Sequence, residues 1–239
     1  MAYLPGERPL TYPWQNQGVI EGMNGKETPR SGFRNVNIAL DITGPGSAYV
    51  EWGSGSSSTK LIAVVKGPRQ QSVTRSAFDV DVSFAPFANI TTDPNELSRD
   101  LAAYIKEGIE GSLSLELYPY SAVTIYIKVL QCGRSIHSML SPSIIASMAA
   151  CKQAGIQIKD QVVSVAIAVS KTGDFVVDPD DQICDDWPCA SIGLTVESRQ
   201  MTVFHLTGMI ARIDMIDSLV NVADGSVNQL WTLITDRTH

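Results

Sequence analysis

Apolar and polar residues alternate along the first part of the chain. Val36, Ile38, Leu40 and Ile42 form one set of every-second apolar residues, Ala48, Val50 and Trp52 another, and Phe78, Val80, Val82 and Phe84 a third, with an apolar run from Leu61 to Val65 between the last two. A period of two predicts four strands, with the turn-forming stretches Thr43–Gly46 and Gly53–Ser56 separating them. The period then lengthens. Leu97, Leu101, Ile105 and Ile109 stand four apart behind Asp93 and Asn95, either of which can cap, which predicts a helix from residue 95 to about 112. Val123, Ile125, Ile127 and Val129 restore the strand period. Ser141 followed by Pro142 reads as an N-cap with proline at the first helical position, and Gly155 as the residue just past the helix end, so a second helix is expected between them.

Val162–Val169 is almost pure Val and Ala, apolar on both faces, and therefore a central strand. Shorter strands are expected at Phe175–Val177, Ala190–Val196 and Met201–Leu206. Ile213, Ile216, Val220, Ala223, Val227, Leu230 and Ile234 mark a last helix over roughly 211–235. The order β-β-β-β-α-β-α-β-β-β-β-α, with helices occurring singly, indicates an α+β fold of mixed sheets with helices packed on them. Residues 1–33, rich in Gly, Pro, Asn and Arg and without either period, read as an extended N-terminal arm ahead of a domain spanning 34–239.

Composition narrows the function. Charged residues make up 18% and apolar residues 44% of 239, which suits a folded domain and not a disordered chain. The longest uncharged run, Ser135–Cys151, contains five serines, a proline and a histidine, and is too short and polar to span a membrane. No signal-peptide core follows Met1, so the four cysteines (Cys132, Cys151, Cys184, Cys189) are expected to be reduced thiols in an intracellular compartment. The net charge is −7, unevenly spread: 8 basic and 5 acidic residues lie in 1–75, against 10 and 20 in the remainder. That balance disfavours a free-standing nucleic-acid binder and is compatible with an acidic subunit held against basic neighbours.

Most candidate motifs fail on their chemistry. Gly53–Lys60 lacks the glycine before Lys60 that a phosphate loop needs and is expected to be a hairpin loop. Asp174, Asp178, Asp180, Asp181, Asp185 and Asp186 form the densest charge cluster; as a calcium loop it fails, since Ile183 and Cys189 fall where glycine and glutamate belong. A magnesium-carboxylate site stays open there, beside the simpler reading of a solvated acidic turn. Cys184 and Cys189, without further Cys or His ligands, are expected to be two buried or half-buried thiols, not a zinc site. His205, between Phe204 and Leu206, reads as a structural histidine, and His137 as a surface residue in a polar loop.

Six short stretches then stand out together: Gly46–Glu51, Val64–Arg69, Ser83–Phe87, Leu115–Pro119, Ile125–Gln131 and Ala154-Gly155-Ile156. In this order and spacing, from about Gly46 to Leu206, the chain resembles the RNase PH-type ring subunits of the eukaryotic RNA exosome, and most of all the non-catalytic subunit of the messenger-RNA-transport type. The resemblance implies duplicated β-α units and a hexameric ring of heterodimers around an RNA channel. It also implies partners among the other ring subunits, cap subunits with OB and KH folds and associated hydrolytic RNases, and residence in nucleus, nucleolus and cytoplasm. Phosphorolytic relatives bind phosphate with a Gly-Thr-Arg segment just ahead of the second helix. Counted back from Ala154, that segment falls on Ser138-Met139-Leu140, which carries no basic group, although Arg134 is nearby.

Active relatives also hold a metal with two carboxylates before the strand that corresponds to Ala190–Val196. The later of these falls on Cys189 and the earlier near Cys184 or Asp185, while Asp181 and Asp186 fit only if the loop slips. Lys106 stands in place of a family arginine and loses its bidentate fork. The expectation is a catalytically inactive subunit with no cofactor, contacting RNA backbone through Arg69, Arg75 and Arg99 on loops beside the third and fourth strands and on the first helix. The competing expectations are a phosphorolytic 3′→5′ exoribonuclease using the Asp178–Asp186 loop, and an RNase PH-like scaffold outside any exosome.

Overall fold

The computed structural model describes residues 32–53, 58–70, 77–88, 90, 93–170, 172–210 and 212–235. Apart from Gly32 and Phe33, the expected arm lies outside the described residues. The first sheet contains β1 (Val36–Leu40), β2 (Ser47–Trp52), β3 (Thr59–Gln70), β4 (Ala77–Phe84) and β5 (Ser121–Gln131), in the order β1-β2-β3-β5-β4. Only the β4–β5 pair is parallel. The second sheet is antiparallel and contains β6 (Val162–Val169), β7 (Phe175–Val177), β8 (Cys189–Thr195) and β9 (Met201–Thr207), in the order β7-β6-β8-β9. The helices are α1 (Pro94–Glu110), α2 (Ile136–Gln153), the short α3 (Asp181–Asp186) and α4 (Asp214–Thr235). The α+β class agrees with the sequence reading, as does the succession of elements along the chain except for the unexpected α3, and β6 is internal with all eight residues buried.

α2 is the keystone of the packing. It lies against β1, β2 and β3 of one sheet and β6 and β8 of the other, and touches α1. A helix covered on every side must be apolar or small all round, which explains its content of Ala, Ser, Ile and Met and why nearly all its residues are buried. Its start differs from the sequence expectation. Ser135, not Ser141, is the N-cap, its hydroxyl accepting from the His137 amide at 3.3 Å, so Pro142 lies inside the helix. An internal proline deprives the carbonyl four residues earlier of its donor. Here that carbonyl belongs to Ser138, and the Thr59 hydroxyl of β3 donates to it at 2.9 Å. A side chain from another element thus removes the usual objection to proline in a helix. The end is as expected: Gly155 takes φ +72°, and the amides of Gly155 and Ile156 bond to the carbonyls of Lys152 and Cys151, closing a Schellman motif.

β1 also stops earlier than the alternation suggests. Asp41 adopts a left-handed backbone, φ +57°, and Ile42 is exposed. The two sheets are clamped at one point by Asp178, just past β7. Its carboxylate accepts from the Arg34 amide at 2.6 Å, from Arg34 Nε and Nη2 at 3.1 and 2.8 Å, and from Trp52 Nε1 at 2.9 Å. Trp52 is itself in edge contact with Phe33, at 6.4 Å between ring centroids. Burial disfavours the Arg34 charge, yet the Asp178 carboxylate outweighs burial and holds the guanidinium pKa above its ordinary value. Removing one member of such a pair leaves the other charge buried and uncompensated. Asp178→Ala is therefore expected to cost about 3–5 kcal/mol in urea unfolding, and a loss under about 1 kcal/mol would show that the clamp is dispensable.

Candidate functional site

The chain between β5 and α2 runs Cys132-Gly133-Arg134-Ser135 and leads into the N-terminus of α2. The first amides of a helix lack intrahelical acceptors and carry partial positive charge, which suits them to anions. Facing them is α3, a six-residue helix capped by Asp180, whose carboxylate accepts from the Ile183 amide at 3.2 Å. Asp181, the first residue of α3, reaches across and accepts from the amides of Arg134 and Ser135 at 3.0 and 3.3 Å. Gly133 makes room for it: a Cβ there would lie 2.3–2.4 Å from the two Asp181 carboxylate oxygens. Arg134 turns its guanidinium to Asp185, with Nη2 to Oδ2 at 3.1 Å.

The acidic stretch is thus neither a plain solvated turn nor a gathered metal site. Asp178 clamps the sheets, Asp180 caps α3, Asp181 fills the α2 terminus, Asp185 pairs with Arg134, and Asp174 accepts from the Thr172 hydroxyl at 2.6 Å. Among the described residues no group of three or more His, Cys, Asp or Glu side chains is placed to hold a metal ion. Ser138-Met139-Leu140 does not precede the second helix, because the earlier helix start puts these residues inside α2, where all three are buried. Cys189 opens β8 with no exposed surface, and Lys106 forms an exposed ion pair with Asp79 at 3.4 Å.

Beside α3 is a cavity of about 380 Å³ whose lining includes Cys184, Asp185, Asp186, Trp187, Thr207 and Met209. The expectation of buried or half-buried thiols at Cys184 and Cys189 agrees with the structure. His137 does not lie on the surface. It is 1% exposed on the first turn of α2, with Nδ1 2.8 Å from the Ser191 hydroxyl and Nε2 2.7 Å from that of Thr207. Burial, and then the neighbouring His205 ring 5.2 Å away, push its pKa down to about 4. His205, tilted against Tyr104 with ring centroids 4.5 Å apart, is also lowered, by burial, with Asp100 opposing. Nothing in the sequence around His137 marks it as buried, since its partners come from β8 and β9.

Of the expected RNA contacts, Arg75 lies outside the described residues. Arg99 is on the first helix, as expected, with Nε 3.2 Å from the Asn95 carbonyl, whereas Arg69 is not on a loop but is the second-last residue of β3, opposite Ala122. Both are exposed. α1 runs back along β4, Lys106 reaching Asp79, so Arg99, two turns earlier, lies toward the Phe84 end while Arg69 lies toward the Ala77 end. The structure does not bring these two arginines into one patch.

The model of the 3′ exoribonuclease family, domain 1 (RNase PH), matches residues 32–157, more than half of the chain. The chain belongs to the RNase PH family. Among similar curated proteins, the exosome complex component Rrp41 of Thermococcus onnurineus is 29% identical over 185 residues, covering 73% of this chain and 71% of that protein. An RRP41-like exosome component of Arabidopsis thaliana is 29% identical over 168 residues, covering 65% and 62%. Among solved structures, the Archaeoglobus fulgidus exosome with RNA bound to the active site superposes with a TM-score of 0.70 at 20% identity, covering 84% of this chain and 89% of that one. Rice Rrp46 gives 0.67 at 15% identity, covering 85% and 94%. These superpositions carry the RNase PH-like fold.

The buried histidine gives this region a pH dependence. Its ordinary pKa is 6.5 and its folded value about 4, so between these values the unfolded chain binds the proton and the folded chain does not. Stability from His137 is complete above pH 6.5 and is lost as the pH falls toward 4. At pH 5 the wild-type chain should have lost about 2 kcal/mol, relative to pH 7.5, that His137→Gln does not lose. Urea unfolding at both pH values measures the difference, and equal losses would show that the ring is not held neutral.

Proposed function

We propose that the chain is a non-catalytic ring subunit of an exosome, the assembly to which the Rrp41 and RRP41-like proteins it resembles belong by name. Its role is to complete the ring and guide single-stranded RNA, not to cleave it. The observation that carries this reading is Asp181 at the N-terminus of α2. Phosphorolysis needs an inorganic phosphate held beside the polyanionic RNA. At that helix end Asp181 takes the amides of Arg134 and Ser135, the Ser135 hydroxyl takes that of His137, and the guanidinium of Arg134 is paired with Asp185. Partners would be the other RNase PH-like ring subunits, the cap subunits and hydrolytic RNases, in nucleus, nucleolus and cytoplasm.

One observation favours a second reading, that of a phosphorolytic 3′→5′ exoribonuclease. Arg134 sits one residue ahead of the α2 N-cap with a half-exposed side chain, a position from which a guanidinium could bind phosphate once Asp185 and Asp181 moved aside. The readings separate in the reconstituted ring supplied with phosphate, magnesium and single-stranded RNA. Asp186→Asn in this subunit should leave release of nucleoside diphosphates unchanged. Loss of that activity with the ring intact would establish the acidic segment as catalytic.

Arg69, Arg75 and Arg99 are proposed as RNA-backbone contacts spread along the path of the strand. Replacing all three with alanine should lower RNA affinity of the ring and flatten its salt dependence, each lost phosphate contact removing about 0.7 from the logarithmic slope. Fluorescence anisotropy across a salt series reads the slope, and an unchanged value removes these residues from the path.

A further inference from the structure

Cys184 and Cys189 lie together, Cys184 packing against the small apolar cluster that Cys189 forms with Ala168 and Val176. Cys184, on α3, is half-buried and lines the cavity of about 380 Å³ beside Asp185 and Trp187. Cys189, at the start of β8, is fully buried behind it, within hydrogen-bonding reach of the Cys184 sulfur. Four residues, Asp185–Pro188, connect the two, and α3 is a six-residue helix held by side-chain contacts at its ends, so closing the pair involves one short segment. We propose that Cys184 is a modification site for hydroperoxides, oxidised to a sulfenic acid that Cys189 resolves to a reversible disulfide.

The surroundings favour the attacking form of Cys184. Cys189 donates to its sulfur, and this contact does most to hold the Cys184 pKa below the ordinary thiol value; burial opposes, Ser135 adds a hydrogen bond, Asp181 opposes and Arg34 assists. Cys189 is correspondingly raised and keeps its proton. The other two cysteines provide an internal contrast. Burial, with Asp181 adding, pushes Cys132 up to about 11, and burial pushes Cys151 up to about 12. Since the thiolate is the nucleophile, one cysteine of four stands out.

The chemistry balances with one equivalent of hydrogen peroxide. The Cys184 thiolate attacks one peroxide oxygen, the O–O bond breaks, and the departing hydroxide takes the proton released from the thiol, leaving a sulfenic acid and one water. The Cys189 sulfur then attacks the Cys184 sulfur, the S–O bond breaks, and the second hydroxide takes the Cys189 proton. Two thiols are oxidised by two electrons, peroxide is reduced to two waters, and a dithiol such as dithiothreitol reverses the bond by exchange.

The test uses the whole folded chain, treated briefly with hydrogen peroxide and read by intact mass and peptide mapping with and without dimedone. The wild type should lose the mass of two hydrogens, with the Cys184 and Cys189 peptides protected from alkylation until dithiothreitol is added. Cys189→Ser should stop at the sulfenic acid and give a dimedone adduct on Cys184, and Cys184→Ser should give neither product. Cys184 should also react with iodoacetamide at least about tenfold faster than Cys132 or Cys151. If a variant fails to fold, the wild-type mass change and the alkylation ratio still decide. Cys184 left fully alkylatable after peroxide, a disulfide joining two chains instead of one, or oxidation of Cys132 and Cys151 at the same rate would each overturn the proposal.

Discussion

Asp178 is the point on which the arrangement of the two sheets depends. One carboxylate, 8% exposed, collects a backbone amide, two guanidinium donors and an indole N–H, all from the first sheet or its leading segment, while its own chain continues out of the second. Such a charge is tolerable away from water only because its acceptor capacity is filled. The consequence is directional. Arg34 brings the segment ahead of β1 down onto the end of β7, and α2 is enclosed between sheets whose spacing is thereby fixed. The backbone of Asp178 is left-handed, φ +53°, a conformation that Asp accepts more readily than most residues.

From that anchor the acidic segment unwinds into separate duties. A run of carboxylates with a net charge of −7 behind it suggests a polyanion seeking cations. The folded chain instead spends nearly every one on a local donor. Two go to helix termini, two to arginines, one to a threonine in a tight turn. The N-terminus of α2 faces this region, and Asp181 answers it from within. The cavity beside α3 is therefore bordered by groups whose charges are mostly met, with the Cys184 sulfur as its most polarizable element.

Much of the fold was legible because period and punctuation agree. The alternation at Phe78–Phe84, the four-residue spacing from Leu97 to Ile109 and the glycine at 155 each carry their own local cause, and each lies where the pattern puts it. The misreadings come from tertiary partners. Pro142 reads as a helix start, since a proline after serine ordinarily is one; only Thr59, far away in sequence, makes the internal position tenable. His137 reads as a surface residue because Ser135 and Ser138 flank it, yet Ser191 and Thr207 receive it in the interior. The pairing of Asp181 with the amides at 134 and 135 joins residues that no local window contains, and the one hint was a glycine before an arginine, at 133.

The contact between Asp181 and the start of α2 also has a kinetic meaning. A ligand attached to the same polypeptide does not diffuse away when it lets go; it returns at a rate set by the chain, and its effective concentration is fixed by geometry, not by supply. Any free anion arriving at this helix end must compete with a resident that is present at the same strength whatever the surrounding solution contains. Occupancy by an outside anion then depends less on its abundance than on how often α3 detaches. The helix terminus behaves as a receptor delivered with its own antagonist, and the local opening of a six-residue helix controls whether it is ever vacant.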